Sequence, residues 1–294
     1  MPQPGKTSLQ TIVKTATILY SYSGEMAEED QSNNTITFLG SGGARFMMYN
    51  QFLATGGFWL NLDGTQILLD PGPGAIIQST KRKLKAEKLS AIILSHRHLD
   101  HSADVNIMVE AMSQGGFNRH GQLFAPADAL DSEPVIFSYV RELLEGIKVL
   151  EEGKSYSIGD ISFTTPVRHI HPVETYGLVF RTPRYTFSHI TDTRYFEELA
   201  QYYYGDLLII NVVFMEPRTP DPRIAMPADH LAVPEVERII AQLKPKIAIL
   251  THFGMSVWRA KPWKIAERLS KSTGVRVIAS RDGMKFNLSQ LDES

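Results

Sequence analysis

Chemistry is densest in Ser95-His96-Arg97-His98-Leu99-Asp100-His101. Positions 96 to 101 carry three imidazoles and a carboxylate, side chains that ligate zinc and related ions. The preceding Ala91-Ile92-Ile93-Leu94 is an apolar run that reads as a buried strand. His96 and His98 stand two apart, so an extended chain sends both from the same face. Asp100 and His101 come where that strand should end. Beyond them, Val105, Met108, Val109 and Met112 recur at helical spacing, which predicts a helix over Ser102 to Met112. A lone histidine is ordinarily a core or surface residue. Four potential ligands between a strand and a helix are expected to be a metal site, because a tag or low-complexity tract has neither flank.

The pattern His-x-His-x-Asp-His resembles the metallo-β-lactamase fold superfamily. The resemblance implies an α/β (α+β) chain folded as an αββα sandwich, two mixed β-sheets flanked by helices. It also implies that His96 and His98 bind one metal, that Asp100 and His101 bind a second, and that the remaining ligands lie far downstream.

Candidates for those ligands follow in the order the resemblance requires. In Val167-Arg168-His169-Ile170-His171-Pro172-Val173-Glu174-Thr175-Tyr176-Gly177 the Tyr-Gly pair is similar to one that follows a ligand histidine in tRNase Z-like and cyclic-phosphodiesterase-like members. That register makes His171 the ligand. His169 is left as a support for the ligands, a substrate-facing group or a structural residue. Asp192-Thr193 matches the family's Asp-Thr pair, whose Asp bridges both metals; otherwise Asp192 caps a helix expected over Tyr195 to Tyr202. His252, in Thr251-His252-Phe253-Gly254, matches the last ligand. His230 matches a histidine that donates a proton to the leaving group, and its alternative is a helix-start histidine without chemistry. Asp100 and His230 are thus the catalytic candidates. Asp70, in Asp70-Pro71-Gly72-Pro73-Gly74, is either a turn cap or, by the resemblance, a carboxylate that orients ligand imidazoles. Phe38-Leu39-Gly40-Ser41-Gly42-Gly43 resembles the opening of tRNase Z-like members. The resemblance covers residues 35 to 288.

Other elements must position these groups. Thr35 to Leu39, Phe58 to Leu60, Gln66 to Leu69, Arg184 to Ser188, Asp206 to Val213 and Lys246 to Leu250 read as strands. Asp63-Gly64 is a hairpin signal. Pro134 to Val149 and Pro234 to Leu243 read as helices. Gly115 to Asp131 reads as a long loop near the site, and Met215 to Met226 as a loop over the cleft. Val275 to Ala279 and Met284 to Phe286, around Asp282-Gly283, look like a closing hairpin. The expected organisation is an N-terminal extension of unknown role over 1–33 and a single hydrolase domain over 34–294.

Composition narrows the function. The chain has 294 residues, 43% of them hydrophobic, enough for a sizeable core. Lys and Arg total 30 against 32 Asp and Glu, a net charge of −2, so there is no global electrostatic footprint for nucleic acid. With no cysteine, a metal site must use His, Asp and Glu, and the β-lactamase subtype with a thiolate ligand is excluded. No apolar run spans a membrane. Lys14 interrupts the apolar stretch Ser8 to Tyr20, so a signal peptide is not expected and a cytoplasmic location is.

Two metals held by His and Asp suit hydrolysis. Zinc is the expected ion, with manganese or iron as alternatives. Histidine at position 98 argues against flavodiiron-type oxygen reduction, where the resemblance calls for Glu. Tyr176-Gly177 and His230 favour phosphodiester hydrolysis. The expected substrate is a small cyclic phosphodiester or a short nucleic acid. tRNA is disfavoured, since no basic, Gly/Pro-rich inserted arm is present. A carboxyl-ester, lactone or thioester hydrolase is the rival enzyme, and a metal-binding scaffold without turnover the rival of another class. The oligomeric state is left open, a homo-oligomer included.

Overall fold

The structure is a computed structural model and describes residues 34–131, 133–218 and 229–293. The extension expected over 1–33 and most of the loop expected over 215–226 lie outside the described residues.

The first half of the chain supplies β1 (Asn34–Phe38), β2 (Phe58–Leu62), β3 (Thr65–Leu69), β4 (Leu89–Ile93), β5 (Gln122–Ala125) and β6 (Gly146–Val149). The second half supplies β7 (Lys154–Ile158), β8 (Ile161–Thr165), β9 (Leu178–Arg181), β10 (Thr186–Ile190), β11 (Leu207–Asn211), β12 (Ile247–Thr251) and β13 (Arg276–Ala279). A last strand, β14 (Lys285–Asn287), returns to the first half. The sheet orders are β14-β1-β2-β3-β4-β5-β6 and β13-β12-β11-β10-β9-β8-β7. In each sheet one side is antiparallel and the other parallel: β3 to β6 run parallel, and so do β10 to β13. At the β2–β3 turn Asp63 and Gly64 both take positive φ, 48° and 87°, the backbone a tight two-residue hairpin demands.

Helices cover the outer faces: α1 (Ala44–Asn50), α2 (Ala75–Lys81), α3 (Leu99–Ser102), α4 (Val105–Met112), α5 (Ser138–Arg141), α6 (Val233–Leu243), α7 (Met255–Arg259) and α8 (Pro262–Thr273). Three apolar layers result. Between the sheets, Phe38, Leu60, Ile93 and Phe124 meet Phe163, Phe180, Phe187 and Ile249. Outside the first sheet, Leu68, Ile92 and Leu123 pack on Val105, Met108 and Met112 of α4. Outside the second, Leu208, Ile210 and Leu250 pack on Val236, Ile240, Ile265 and Leu269 of α6 and α8. Central strands with apolar cover on both faces read as unbroken hydrophobic runs, which is why β4, β11 and β12 are plain in the sequence. This is the expected αββα sandwich. Among the described residues no helix is long and apolar enough to cross a membrane.

Several local expectations are corrected. The stretch read as a loop over Gly115 to Asp131 contains β5, whose Leu123, Phe124 and Ala125 are fully buried. Three apolar residues inside a Gly-, Asn- and Pro-rich neighbourhood are too short a signal. The helix expected over Pro134 to Val149 closes only at Ser138–Arg141, although Ile136, Val140 and Leu144 do turn inward at helical spacing. From Gly146 the β-branched Ile147 and Val149 join the sheet as its edge strand. The helix expected from Ser102 is two pieces, α3 and α4, and that over Tyr195 to Tyr202 is only a 3₁₀ turn at Leu199–Tyr202. The closing hairpin does not form, because β13 and β14 lie in different sheets. Between them Asp282 draws the chain across: its carboxylate accepts from Ser41 N at 2.9 Å, Ser41 Oγ at 2.7 Å and Ala54 N at 2.9 Å.

Candidate metal centre

The candidate residues gather where parallel strands end. Asp70 follows β3, and His96 to His101 follow β4 into α3. Asp192 follows β10, Asn211 ends β11 and His252 follows β12. His171 comes from the β8–β9 connection and His230 from the entry to α6.

Two groups of ligand-type atoms form. His96, His98 and His171 make one; Asp100, His101, Asp192 and His252 make the other, and within each group the offered atoms lie within 4.8 Å of one another. His98 Nδ1 is 3.0 Å from His171 Nε2, and His101 Nε2 is 2.9 Å from His252 Nε2. Nitrogens sharing a tetrahedral zinc at the usual bond length stand about 3.3 Å apart, so both pairs are near ligand spacing. Asp192 lies between the groups. Its Oδ2 is 3.7 Å from His96 Nε2 and 3.3 Å from His101 Nε2, and its Oδ1 is 3.4 Å from His252 Nδ1.

Buried neighbours decide which ring nitrogens offer lone pairs. Asp70 Oδ2 accepts from His101 Nδ1 at 2.9 Å, which fixes the proton there and leaves Nε2 free to ligate. The same oxygen accepts the Ser95 hydroxyl at 2.6 Å. Ser95 Oγ, its one proton spent, accepts from His96 Nδ1 at 3.0 Å, so His96 also turns an unprotonated Nε2 inward. His171 Nδ1 meets the Asp229 carbonyl at 2.9 Å, with the same effect. Orienting contacts of this kind are what metal-ligating imidazoles require.

Charge is distributed to match at all but His101. Burial, then the neighbouring His101 and His171, lower the pKa of His96 well below its ordinary value. Burial lowers His98, and lowers His171 to about 3. Burial opposes ionisation of Asp192, yet His252, His230 and His101 hold it well below the usual carboxylate range. Burial also opposes charge on His101, but Asp100, Asp192 and Asp70 raise its pKa well above the ordinary value. Neutral imidazoles and ionised carboxylates are the ligating forms, and the three carboxylates around His101 make a field that a cation would satisfy.

The orphaned atoms test whether a cation fits. His96 Nε2, His98 Nε2, His252 Nδ1 and Asp192 Oδ2 are buried without a hydrogen-bond partner. Leaving such groups unmet costs about 1–3 kcal/mol each. A divalent cation in each group is a single explanation for His96 Nε2 and Asp192 Oδ2, and the donor set of imidazole and carboxylate suits zinc, manganese or iron.

Comparison with known proteins adds the family. The β-lactamase superfamily domain matches residues 65–253. The protein MJ1374 of Methanocaldococcus jannaschii is 31% identical over 262 residues, 86% of this chain and 94% of that one. The chain belongs to the β-lactamase superfamily. Its fold and ligand groups are those of a metal-binding hydrolase of that superfamily. Two solved structures share the superfamily fold. The metallo-β-lactamase fold protein YhfI from Bacillus subtilis matches with a TM-score of 0.70 at 21% identity, covering 86% of this chain and 99% of its own. A diphosphatase of the PhnP family matches at 0.63 and 20% identity, covering 86% and 97%.

Beside the ligand groups of this β-lactamase-superfamily chain opens a cavity of about 550 Å³. Phe46, Met48, Leu99, Val213 and Phe214 give it apolar walls, and Arg45, Arg218 and His230 give it polar ones. The Arg218 guanidinium lies 4.0 Å from the Phe214 ring centroid, and Phe214 stands edge-on to His230 at 5.9 Å. His230 Nδ1 is 3.4 Å from Asp192 Oδ2.

His169 does not face this cavity. It is buried, and both its ring nitrogens are engaged, by the Asp192 carbonyl and by the Tyr203 hydroxyl. The substrate-facing option left open for it is therefore removed. Sequence reasoning also missed Asn211, whose Nδ2 donates to Asp192 Oδ1 at 2.9 Å, and His189, buried 3.4 Å from Asn211 Oδ1. The signal was present: Asn211 is the lone polar residue of the apolar buried strand Leu-Leu-Ile-Ile-Asn, and His189 stands beside Ser188 in the buried run Phe-Ser-His-Ile. Gly43 is required for packing, since a Cβ there would lie 2.1 Å from the His252 ring.

Proposed function

We propose that the protein is a binuclear metal-dependent phosphodiesterase acting on a small anionic diester. His96, His98 and His171 would hold one ion and Asp100, His101 and His252 the other, with Asp192 between them. Bound there, divalent cations supply Lewis acidity and activate water for attack at phosphorus.

The chain's own groups do the rest. Asp70 and Ser95 keep the ligand imidazoles in one tautomer. Asn211 holds Asp192 Oδ1 and so aims Oδ2 at the cluster. The apolar walls limit water around the reacting ester and strengthen every charge interaction inside. Arg45 and Arg218 bring positive charge to an anionic substrate.

The observation that carries the reading is His230, a histidine outside both ligand groups, on the cavity wall and 3.4 Å from Asp192. An ester with an alkoxide leaving group needs a proton donor, and imidazole is suited to that role near neutral pH. A carboxyl ester or lactone needs it less. The cavity volume is that of a small-molecule site, and its largely apolar lining argues against a long basic groove for RNA. The likeness to a PhnP-family diphosphatase supports phosphorus chemistry. An open cavity beside the ligands disfavours a scaffold without turnover.

The test is the metal-loaded protein against bis-p-nitrophenyl phosphate, a cyclic nucleotide, a lactone and a thioester. Phosphodiester turnover that chelation abolishes and metal restores is expected. Turnover confined to the lactone or thioester refutes the phosphodiesterase. A metal-loaded protein inert on all four supports the scaffold.

A further inference from the structure

His169 is 3% exposed and Tyr203 2%. His169 Nδ1 lies 3.1 Å from the Asp192 carbonyl oxygen. A carbonyl only accepts, so Nδ1 carries the ring proton and Nε2 must be an acceptor. The Tyr203 hydroxyl is the donor that meets Nε2, at 2.5 Å. Nothing larger than glycine fits at Gly177, at the far end of the β8–β9 connection that carries His169: a Cβ there would stand 2.2 Å from the Tyr203 hydroxyl oxygen and 2.8 Å from the His169 ring.

The same two chain segments are laced by backbone contacts. Arg194 N donates to the Ile170 carbonyl at 2.9 Å, and Ile170 N donates to Thr193 Oγ1 at 3.2 Å. One segment carries His171, two residues beyond His169. The other carries Asp192. His169 is thus a side-chain tie, beside that of Thr193 Oγ1, between the segment of the first ligand group and the carboxylate that lies between both.

We propose that His169, held by Tyr203 across Gly177, is a positioning residue that fixes the separation of His171 from Asp192 and thereby metal retention at the His96–His98–His171 group. The role rests on the metal-centre reading above. It is set by one donor at one place, Nδ1–H on the Asp192 carbonyl. Losing that donor leaves the carbonyl buried without its partner and frees the Asp192 peptide to turn. Losing the Tyr203 hydroxyl is milder: it removes what selects the tautomer, so the ring can present a lone pair to the carbonyl instead of a proton.

The test uses the full chain loaded with cobalt(II) or zinc, with three variants. His169→Phe fills the space without a donor. His169→Asn keeps a donor near the Nδ1 position. Tyr203→Phe leaves the imidazole and removes the hydroxyl. The readouts are metal retention against a competing chelator, the cobalt absorption spectrum and thermal unfolding of the metal-free protein. His169→Phe is expected to weaken retention of one of two equivalents by roughly 10- to 100-fold, as loss of a ligand-orienting contact does, and to change the cobalt spectrum. Tyr203→Phe should show a smaller loss, and His169→Asn should stay close to wild type. A merely structural role would lower the metal-free melting temperature and leave retention and spectrum unchanged; that result overturns the proposal. Should His169→Phe fail to fold, Tyr203→Phe decides, and unchanged retention there overturns it equally. A folded wild type that takes up no metal refutes the metal-centre reading itself, and this role with it.

Discussion

Asp70→Asn replaces one carboxylate oxygen by an amide nitrogen and changes almost no volume. In the wild type Oδ1 accepts from Ser95 N at 2.6 Å, while Oδ2 accepts from both Ser95 Oγ and His101 Nδ1. An asparagine can keep the first bond. Its Nδ2 then faces two donors. Hydrogen bonds to a charged acceptor contribute about 1.5–3 kcal/mol each. Ser95 can turn its hydroxyl and accept from the new amide, recovering one contact. It then no longer has an acceptor role fixed by Asp70, so the tautomer of His96 is released together with that of His101. The net loss is about one charge-assisted bond. A factor of 10 to 100 in metal affinity, typical for a ligand-orienting partner, corresponds to about 1.4–2.8 kcal/mol, the same size.

Asp70 touches one group directly and the other through Ser95, so both metal equivalents should weaken in Asp70→Asn. Two-step chelator competition followed by a metal-sensitive dye measures this, with far-UV circular dichroism and a cooperative melt showing the fold intact. Weakening confined to one equivalent would refute the Ser95 relay. Unchanged affinity at both would return Asp70 to a turn cap at a left-handed residue, its φ being 55°.

In His230→Ala, metal content should hold while kcat falls roughly 10²–10⁴-fold on diesters with alkyl leaving groups, and far less with p-nitrophenolate; equal losses in steady-state kinetics would make His230 a binding group. Gly43→Ala should push the His252 ring away from Asp100 and His101 and weaken one metal equivalent in a folded protein, because its Cβ has no room beside that ring; metal titration indistinguishable from wild type would show that the loop yields instead. Burial lowers the pKa of His189 to about 4. The unfolded chain therefore takes up this proton first, and the stability tied to a neutral His189 is present above about pH 6.5 and lost as pH falls through about 4, roughly 3 kcal/mol in all. Urea unfolding between pH 7 and 4 should be flatter for His189→Gln than for wild type, and parallel curves would refute this.

How much of the site can be read from the sequence depends on how far apart the partners stand in the chain. His96, His98, Asp100 and His101 declare themselves within six positions, and the strand and helix around them follow from apolar periodicity. His171 rests on one Tyr-Gly pair, and His169 shows how little separates a position inside a ligand-type group from one outside it two residues away. By residue type alone Ser95, Asn211 and Tyr203 carry no mark, because serine, asparagine and tyrosine are common and their partners lie between 19 and 34 residues away: Asp70 for Ser95, Asp192 for Asn211, His169 for Tyr203. The failed strand and helix assignments have the same origin. β5 is held by two sheet neighbours and β6 by one, not by their own short patterns. What the failures share suggests the better signal. A parallel strand buried on both faces has no water for polar side chains along its length, so they collect at its end, where other strand ends can satisfy them. Asp70, Ser95, Asp192, Asn211 and His252 each lie at the end of β3, β4, β10, β11 or β12, or within two residues of it. Reading the polar residues that close buried apolar runs therefore finds the supporting side chains as well as the ligands. It cannot say which strand end meets which, because that is decided by sheet order, and sheet order is set by pairings across the whole chain.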